Sequence, residues 1–200
     1  MVGLRFWTAV FALAAALGFW AAKPAGASAW KTYREPGFSL ALPASWVDLT
    51  RQTPQVLAAL RAQPNLQQLL AYARATHLIK LIAADSASAH NTGFATNANV
   101  VQASAQGTDT STASHSAIAL LRQLGQVLGQ ASYRSVRLPA GDSVRVNYTS
   151  RTSTGLLIAH TQYYLVHAGT LTVISYTALT ATRQHDNPSF TESALSLRFS

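Results

Sequence analysis

The sequence predicts an α+β fold: an antiparallel β-sheet sandwiched between helices. Three observations carry this expectation. Residues 142–150 alternate, with Val144, Val146 and Tyr148 on one face and Arg145, Asn147 and Thr149 on the other. That period of two is the signature of a half-buried strand. Residues 156–167 and 171–178 are rich in Leu, Ile, Val, Tyr and Thr, and each carries apolar groups on both faces. Strands of that kind need cover on both sides of their sheet. Ala168-Gly169 joins the two runs by so short a connection that they form an antiparallel hairpin, and Gly155 marks the turn that precedes them.

Residues 1–29 read as an export signal. Arg5 and the amino terminus are positive, 6–22 is an uncharged apolar run, and Lys23-Pro24 breaks it. Ala27-Ser28-Ala29 then supplies the small residues that a signal peptidase reads, which places the mature start at Trp30, with Ser28 as the alternative. An uncleaved anchor is the rival reading, but the apolar run is short of the ~20 residues a span needs. The remaining 171 residues (200 − 29) suit one domain over 30–200, with no internal repeat and no linker-like break.

The net charge of +8 falls to +6 without Arg5 and Lys23. A basic balance suits anionic surfaces such as teichoic polymers or phospholipid headgroups. The Lys and Arg residues are scattered and never form a run, which fits a mildly basic surface and gives no sign of a nucleic-acid partner. With no cysteine, the chain has no disulfide, no thiol chemistry, no cysteine zinc site and no lipoprotein anchor. The expected location is therefore secreted or extracytoplasmic, with no membrane span after cleavage.

The other elements follow in order. Glu35-Pro36-Gly37 is a turn, Phe38 to Leu42 alternates as a strand, Pro43 ends it, and Trp46-Val47 resumes in extended form. Phe38 and Trp46 are expected in the core. Thr53-Pro54 is a cap followed by a first-turn proline, and opens a helix with Val56, Leu57 and Leu60 on one face. Pro64 interrupts it, and 65–75 continues with Leu66, Leu69, Leu70 and Ala73. Residues 80–84 are a short strand, 85–97 a polar loop, 98–104 a strand, and 106–114 a mobile stretch. A helix is expected over 115–128, with Ala117, Leu120, Leu121, Leu124 and Leu128 on its buried side and Gly129 as its stop. Residues 133–138 form a strand and Pro139-Ala140-Gly141 a turn. After the hairpin, 183–189 is a loop, 190–195 one or two helical turns, and 197–199 a docking tail.

Several of these segments together resemble the PsbP-like (Mog-type) superfamily. They are Gly37 to Pro43 with Trp46, Gly93 to Val101, Leu138 to Val146, Gln162 to Val166, and Phe190 with Ser193 to Phe199. The resemblance covers nearly all of 30–200 and is nearest to the secreted bacterial proteins of LpqN type. It implies the same antiparallel sheet sandwiched by helices. It also implies a non-enzymatic, partner-binding role, although the members differ in their partners: one is an extrinsic subunit of photosystem II and another binds the small GTPase Ran. Such differences do not transfer with a fold.

Motifs for catalysis are scarce. The six histidines (His77, His90, His115, His160, His167 and His185) include no His-x-x-x-His or Glu-x-x-His pair, and metal sites need three or four converging ligands. His160 and His167 are seven residues apart, so a strand sends them to opposite faces. There is no Gly-x-Ser-x-Gly elbow, no phosphate-binding glycine loop, and no close pair among the seven carboxylates. No metal, cofactor or catalytic residue is expected. Two binding features stand out. Arg134, Arg137 and Arg145, with Arg151, gather on adjacent strands as a candidate anion patch, the rival being a solvated edge beside Asp142. Phe94 is the one large apolar side chain in the thirteen-residue loop 85–97. It either anchors a partner or docks back onto the sheet.

These observations describe a secreted, non-enzymatic binding or accessory module of the cell envelope, whose partner is a protein or another envelope component. Two other classes stay open: an exported hydrolase with an unrecognised site, and a carrier of a small apolar ligand. A pocket with convergent polar groups and a perturbed histidine marks the first, and a large closed apolar cavity the second.

Overall fold

The structure, a computed structural model, describes residues 29–50, 78–85, 87–88, 92, 94–152 and 155–200. The expected export signal, the helical pieces at 53–75, His77, His90 and Gly93 lie outside these residues. Ten strands and two helices are described: β1 Trp30–Glu35, β2 Phe38–Pro43, β3 Trp46–Asp48, β4 Ile79–Asp85, β5 Asn97–Ser104, α1 Thr110–Gln123, β6 Leu128–Leu138, β7 Gly141–Arg151, β8 Leu157–His167, β9 Thr170–Leu179, α2 Arg183–Leu195 and β10 Arg198–Phe199. The large sheet has the order β3-β4-β5-β9-β8-β7-β6, and the small one β1-β2-β10. Every pairing is antiparallel.

The β8–β9 hairpin is as the sequence predicts. Ala168 and Gly169 both take positive φ, 46° and 74°. That is the mirror-image turn whose twist matches two antiparallel strands. β8 and β9 lie in the interior of the large sheet and are buried on both faces. On β7, Val144, Val146 and Tyr148 are buried, as their alternation requires.

One face of the large sheet packs against the small sheet and α2. This core holds Phe38, Leu40, Leu42, Trp46, Tyr163, Tyr176, Phe190 and Leu197. Phe190 stacks on Tyr176 at 4.9 Å and meets Trp46 edge-on at 6.5 Å. A polar chain threads the same contact. The Tyr176 hydroxyl donates to Ser193 Oγ at 2.8 Å, and Ser193 Oγ donates to the carbonyl of Ala41 at 2.7 Å. The large sheet, α2 and β2 are thereby tied together. The opposite face packs Val144, Val146, Tyr148, Tyr164 and Val173 against Ala113, Ala117, Ile118 and Leu121 of α1. Each face thus meets one described helix, and on one of them a second, small sheet shares the work with α2.

Three local readings differ from expectation. The first helix runs from Thr110 to Gln123, not over 115–128, so part of the stretch expected to be mobile is helical. Asp109 is its cap: its carboxylate accepts from the Thr112 N–H and from the Thr112 hydroxyl, both at 2.8 Å. Gly125, at φ 69°, ends the helix, and Leu124 and Leu128 are exposed rather than packed. The second difference is β6, which begins at Leu128 and is irregular between Leu128 and Ser132. The third is α2, a helix from Arg183 where 183–189 was expected to be a loop, with Pro188 inside it. Thr182 Oγ1 donates to Asp186 Oδ2 at 2.8 Å in its first turn. Burial of Phe190, Ser193 and Ala194 farther along outweighs the one backbone bond that the proline forfeits.

Phe38 is 1% exposed and Trp46 is 8% exposed, as expected of core residues. Phe38→Ala is expected to lower the unfolding free energy by ~3–5 kcal/mol. Chemical denaturation checks this, and an unchanged midpoint would remove Phe38 from the core.

Candidate functional site: an arginine-lined pocket

Six residues stand side by side across the large sheet. The registers align Leu81, Val100, Ile174, Tyr163, Arg145 and Arg134 from β4 to β6. The first four belong to the core under the small sheet and α2. On β7 and β6 the apolar row gives way to two guanidinium groups. There a pocket of about 360 Å³ opens between β6, β7, β8 and α2. Arg134, Arg145, Tyr163 and Thr191 line it together with Ser135 and Arg137 of β6, and Val136, Leu138 and Leu195 form its apolar wall. No carboxylate lines it among the described residues.

The two arginines are held differently. The Arg145 guanidinium lies 5.8 Å from the centroid of the buried Tyr163 ring, within range of a cation–π contact. Its Nε is buried and has no hydrogen-bond partner. Buried polar groups are nearly always satisfied, so an orphan donor at a pocket wall calls for a reason. Arg134 is exposed at the mouth.

Arg137, expected in the same patch, also borders the pocket, but its guanidinium is engaged elsewhere. It is three residues from Arg134, and an odd separation on a strand sends a side chain to the other face. It pairs there with Asp142 at 2.5 Å, with both side chains mostly exposed. Arg151 is also apart and donates to the carbonyl of Gly155. Phe94 is 3% exposed, so it is the docked-back aromatic and not an exposed anchor. Its loop is held by its own short polar side chains. The Phe94 N–H donates to Thr92 Oγ1, the Thr96 N–H to Ser88 Oγ, and Asn97 Nδ2 to the carbonyl of Ala95.

Sequence reasoning missed a second polar cluster, on the face that α1 covers in part. His160 is buried, stacks on Tyr148 at 4.4 Å, and meets Ser150 Oγ through Nε2 at 2.7 Å and Thr177 Oγ1 through Nδ1 at 3.4 Å. These residues lie on three strands, and only the register brings them together. Burial pushes the His160 pKa down from 6.5 to about 3. A ring that resists protonation so strongly, and is oriented by a hydroxyl rather than a carboxylate, is a poor general base for Ser150. The pair reads as a satisfied core network.

No protein-family model matches the sequence, and no curated protein matches it. Solved structures do. The fold is similar to that of cyanobacterial PsbP (CyanoP) from Synechocystis sp. PCC 6803, with a TM-score of 0.53 and 12% identity over 90% of this chain and 98% of that one. The fold is PsbP-like. It is similar also to LpqN, involved in cell envelope biogenesis of Mycobacterium tuberculosis, with a TM-score of 0.51 and 11% identity over 88% of this chain and 92% of that one. At such identities the likeness is one of fold, and side-chain chemistry has to be argued from this chain.

Within this PsbP-like fold, His160 makes stability depend on pH. The unfolded ring takes a proton near 6.5 and the folded one near 3, so between these values the unfolded state binds more protons. Stability is then lost as pH falls below 6.5, by about 1.4 kcal/mol per unit for this group. In His160→Gln the unfolding free energy is expected to fall less steeply between pH 6.5 and 5, by ~2 kcal/mol in total. Parallel curves for the two proteins would contradict the buried neutral ring.

Proposed function

We propose that this chain is an exported, non-enzymatic accessory module of the cell envelope, and that it works by holding an anionic group of an envelope component in the arginine pocket. The group is a carboxylate or a phosphate. The observation that carries the reading is the buried Arg145 Nε, which has no partner among the described residues. An anion in the pocket supplies the missing acceptor. Arg134, in register with Arg145, supplies a second fork of donors. The one acid beside the patch, Asp142, is engaged with Arg137 on the opposite face. The envelope part of the reading is supported by the apolar run and small residues of 1–29 and by the likeness to LpqN. The tyrosine ring and the apolar wall leave room for an aliphatic or ring portion next to the charge.

Titration calorimetry with inorganic phosphate and with a short glycerol-phosphate oligomer tests the site. Arg145→Ala is expected to weaken binding at least tenfold, since a hydrogen bond to a charged group contributes about 1.5–3 kcal/mol. Added salt is expected to weaken it further. Arg137→Ala is the control and is expected to bind as the parent does. Equal affinity in Arg145→Ala, or an equal loss in Arg137→Ala, would overturn the assignment.

A further inference from the structure

The pocket lies beside a sheet edge that no described residue covers by pairing. Among the described residues, β6 is the last strand of the large sheet and pairs only with β7. It is 11 residues long, about 36 Å at the usual rise, and most of it is exposed. A long exposed edge offers unpaired backbone groups to any other strand, and proteins commonly blunt such edges. The other edges here are shorter: β3 has 3 residues, β10 has 2, and β1 has 6. β1 mixes Lys31 and Arg34 with Glu35, whereas β6 carries Arg134 and Arg137 and no acid. No proline interrupts β6, and from Ser132 to Leu138 its register with β7 is regular.

We propose that β6 is a docking edge for an extended acidic segment of a partner protein, which adds to the large sheet as a further strand. This rests on the anion reading of the same corner and names the anion as a side-chain carboxylate. Backbone pairing supplies affinity in such additions, and alternate side chains supply choice. The added residue opposite Arg134 stands on the face of the Arg134–Arg145–Tyr163 row, because cross-strand neighbours share a face. An acid at that position meets Arg134 directly and extends the row that ends in the pocket. Arg137 selects less strongly, because Asp142 already engages it. A second copy of this chain is a poor occupant. Antiparallel self-pairing brings like charges together on one face: centred on Arg134 it sets this residue opposite its own copy, and centred on Ser135 it sets the two Arg134 side chains diagonally across.

Three ten-residue peptides test the edge: one alternating Glu and Val, one alternating Lys and Val, and the Glu peptide N-methylated at alternate residues. Amide hydrogen exchange along β6 is the readout. The Glu peptide is expected to slow exchange of the β6 amides at least tenfold and to bind at least tenfold tighter than the Lys peptide. Arg134→Glu is expected to reverse that preference, and Arg134→Gln to abolish it. N-methylation is expected to remove the protection. Binding of the Glu peptide without β6 protection would mean capture of a carboxylate by the pocket alone, and would overturn strand addition. Equal binding of the Glu and Lys peptides would also overturn it, as would a dimer in sedimentation with β6 protected and no peptide present. The two readings fail separately. Loss of phosphate binding in Arg145→Ala judges the pocket, and β6 protection by the Glu peptide judges the edge.

Discussion

The architecture depends on one constraint: β8 and β9 are apolar on both faces and must be covered on both. Tyr163 and Leu165 point to one side, Tyr164 and Ile158 to the other, and all are buried. A sheet with such central strands is stable only with a layer against each face. On one side the layer is α2 with the small sheet, fastened by the Phe190–Tyr176 stack and by the bonds from Tyr176 through Ser193 to Ala41. On the other, α1 covers the half of the sheet that carries Val144, Val146, Tyr164 and Val173. The chain has no cysteine, so no disulfide contributes, and packing carries the fold.

The candidate site is where this cover runs out. The row that begins as Leu81, Val100 and Ile174 under the small sheet ends as Arg145 and Arg134 at the margin of α2, whose Thr191 and Leu195 line the pocket. Arg145 sits at the boundary. Its guanidinium lies over the Tyr163 ring while its buried Nε has no acceptor among the described residues. A guanidinium in that position is weakly hydrated and geometrically fixed, which favours recognition of a flat, charged acceptor. Among the described residues, the same strand that supplies Arg134 is the last of the large sheet, so the arginine pair and the sheet edge occupy one corner.

Much of the sheet was legible because side-chain parity writes burial directly into a strand. Val144, Val146 and Tyr148 announced their face, and Ala168-Gly169 announced the hairpin. Helix limits were less legible. The mobile-looking composition before His115 hid the Asp109 cap, and Pro188 disguised α2, whose helix is stabilised by packing of Phe190 and Ala194 rather than by its own sequence. β1 carries almost no local signal, since Lys31, Thr32 and Arg34 are exposed and only Tyr33 is buried. At the site, parity separates Arg137 from Arg134 and Arg145, and that much the sequence contained. The register that aligns Arg134 with Arg145, and the one that brings Ser150 to His160, are long-range pairings that no local pattern encodes.

The central claim is that the orphan Nε of Arg145 is completed by an anion. Nitrogen-15 spectra of the arginine Nε–H groups, recorded while phosphate is added, test it most directly. The account predicts that the Arg145 signal moves saturably and that its hydrogen exchange slows as the pocket fills, while the Arg137 signal stays in place. An Arg145 signal unmoved by millimolar phosphate, or already protected from exchange before any is added, would contradict it.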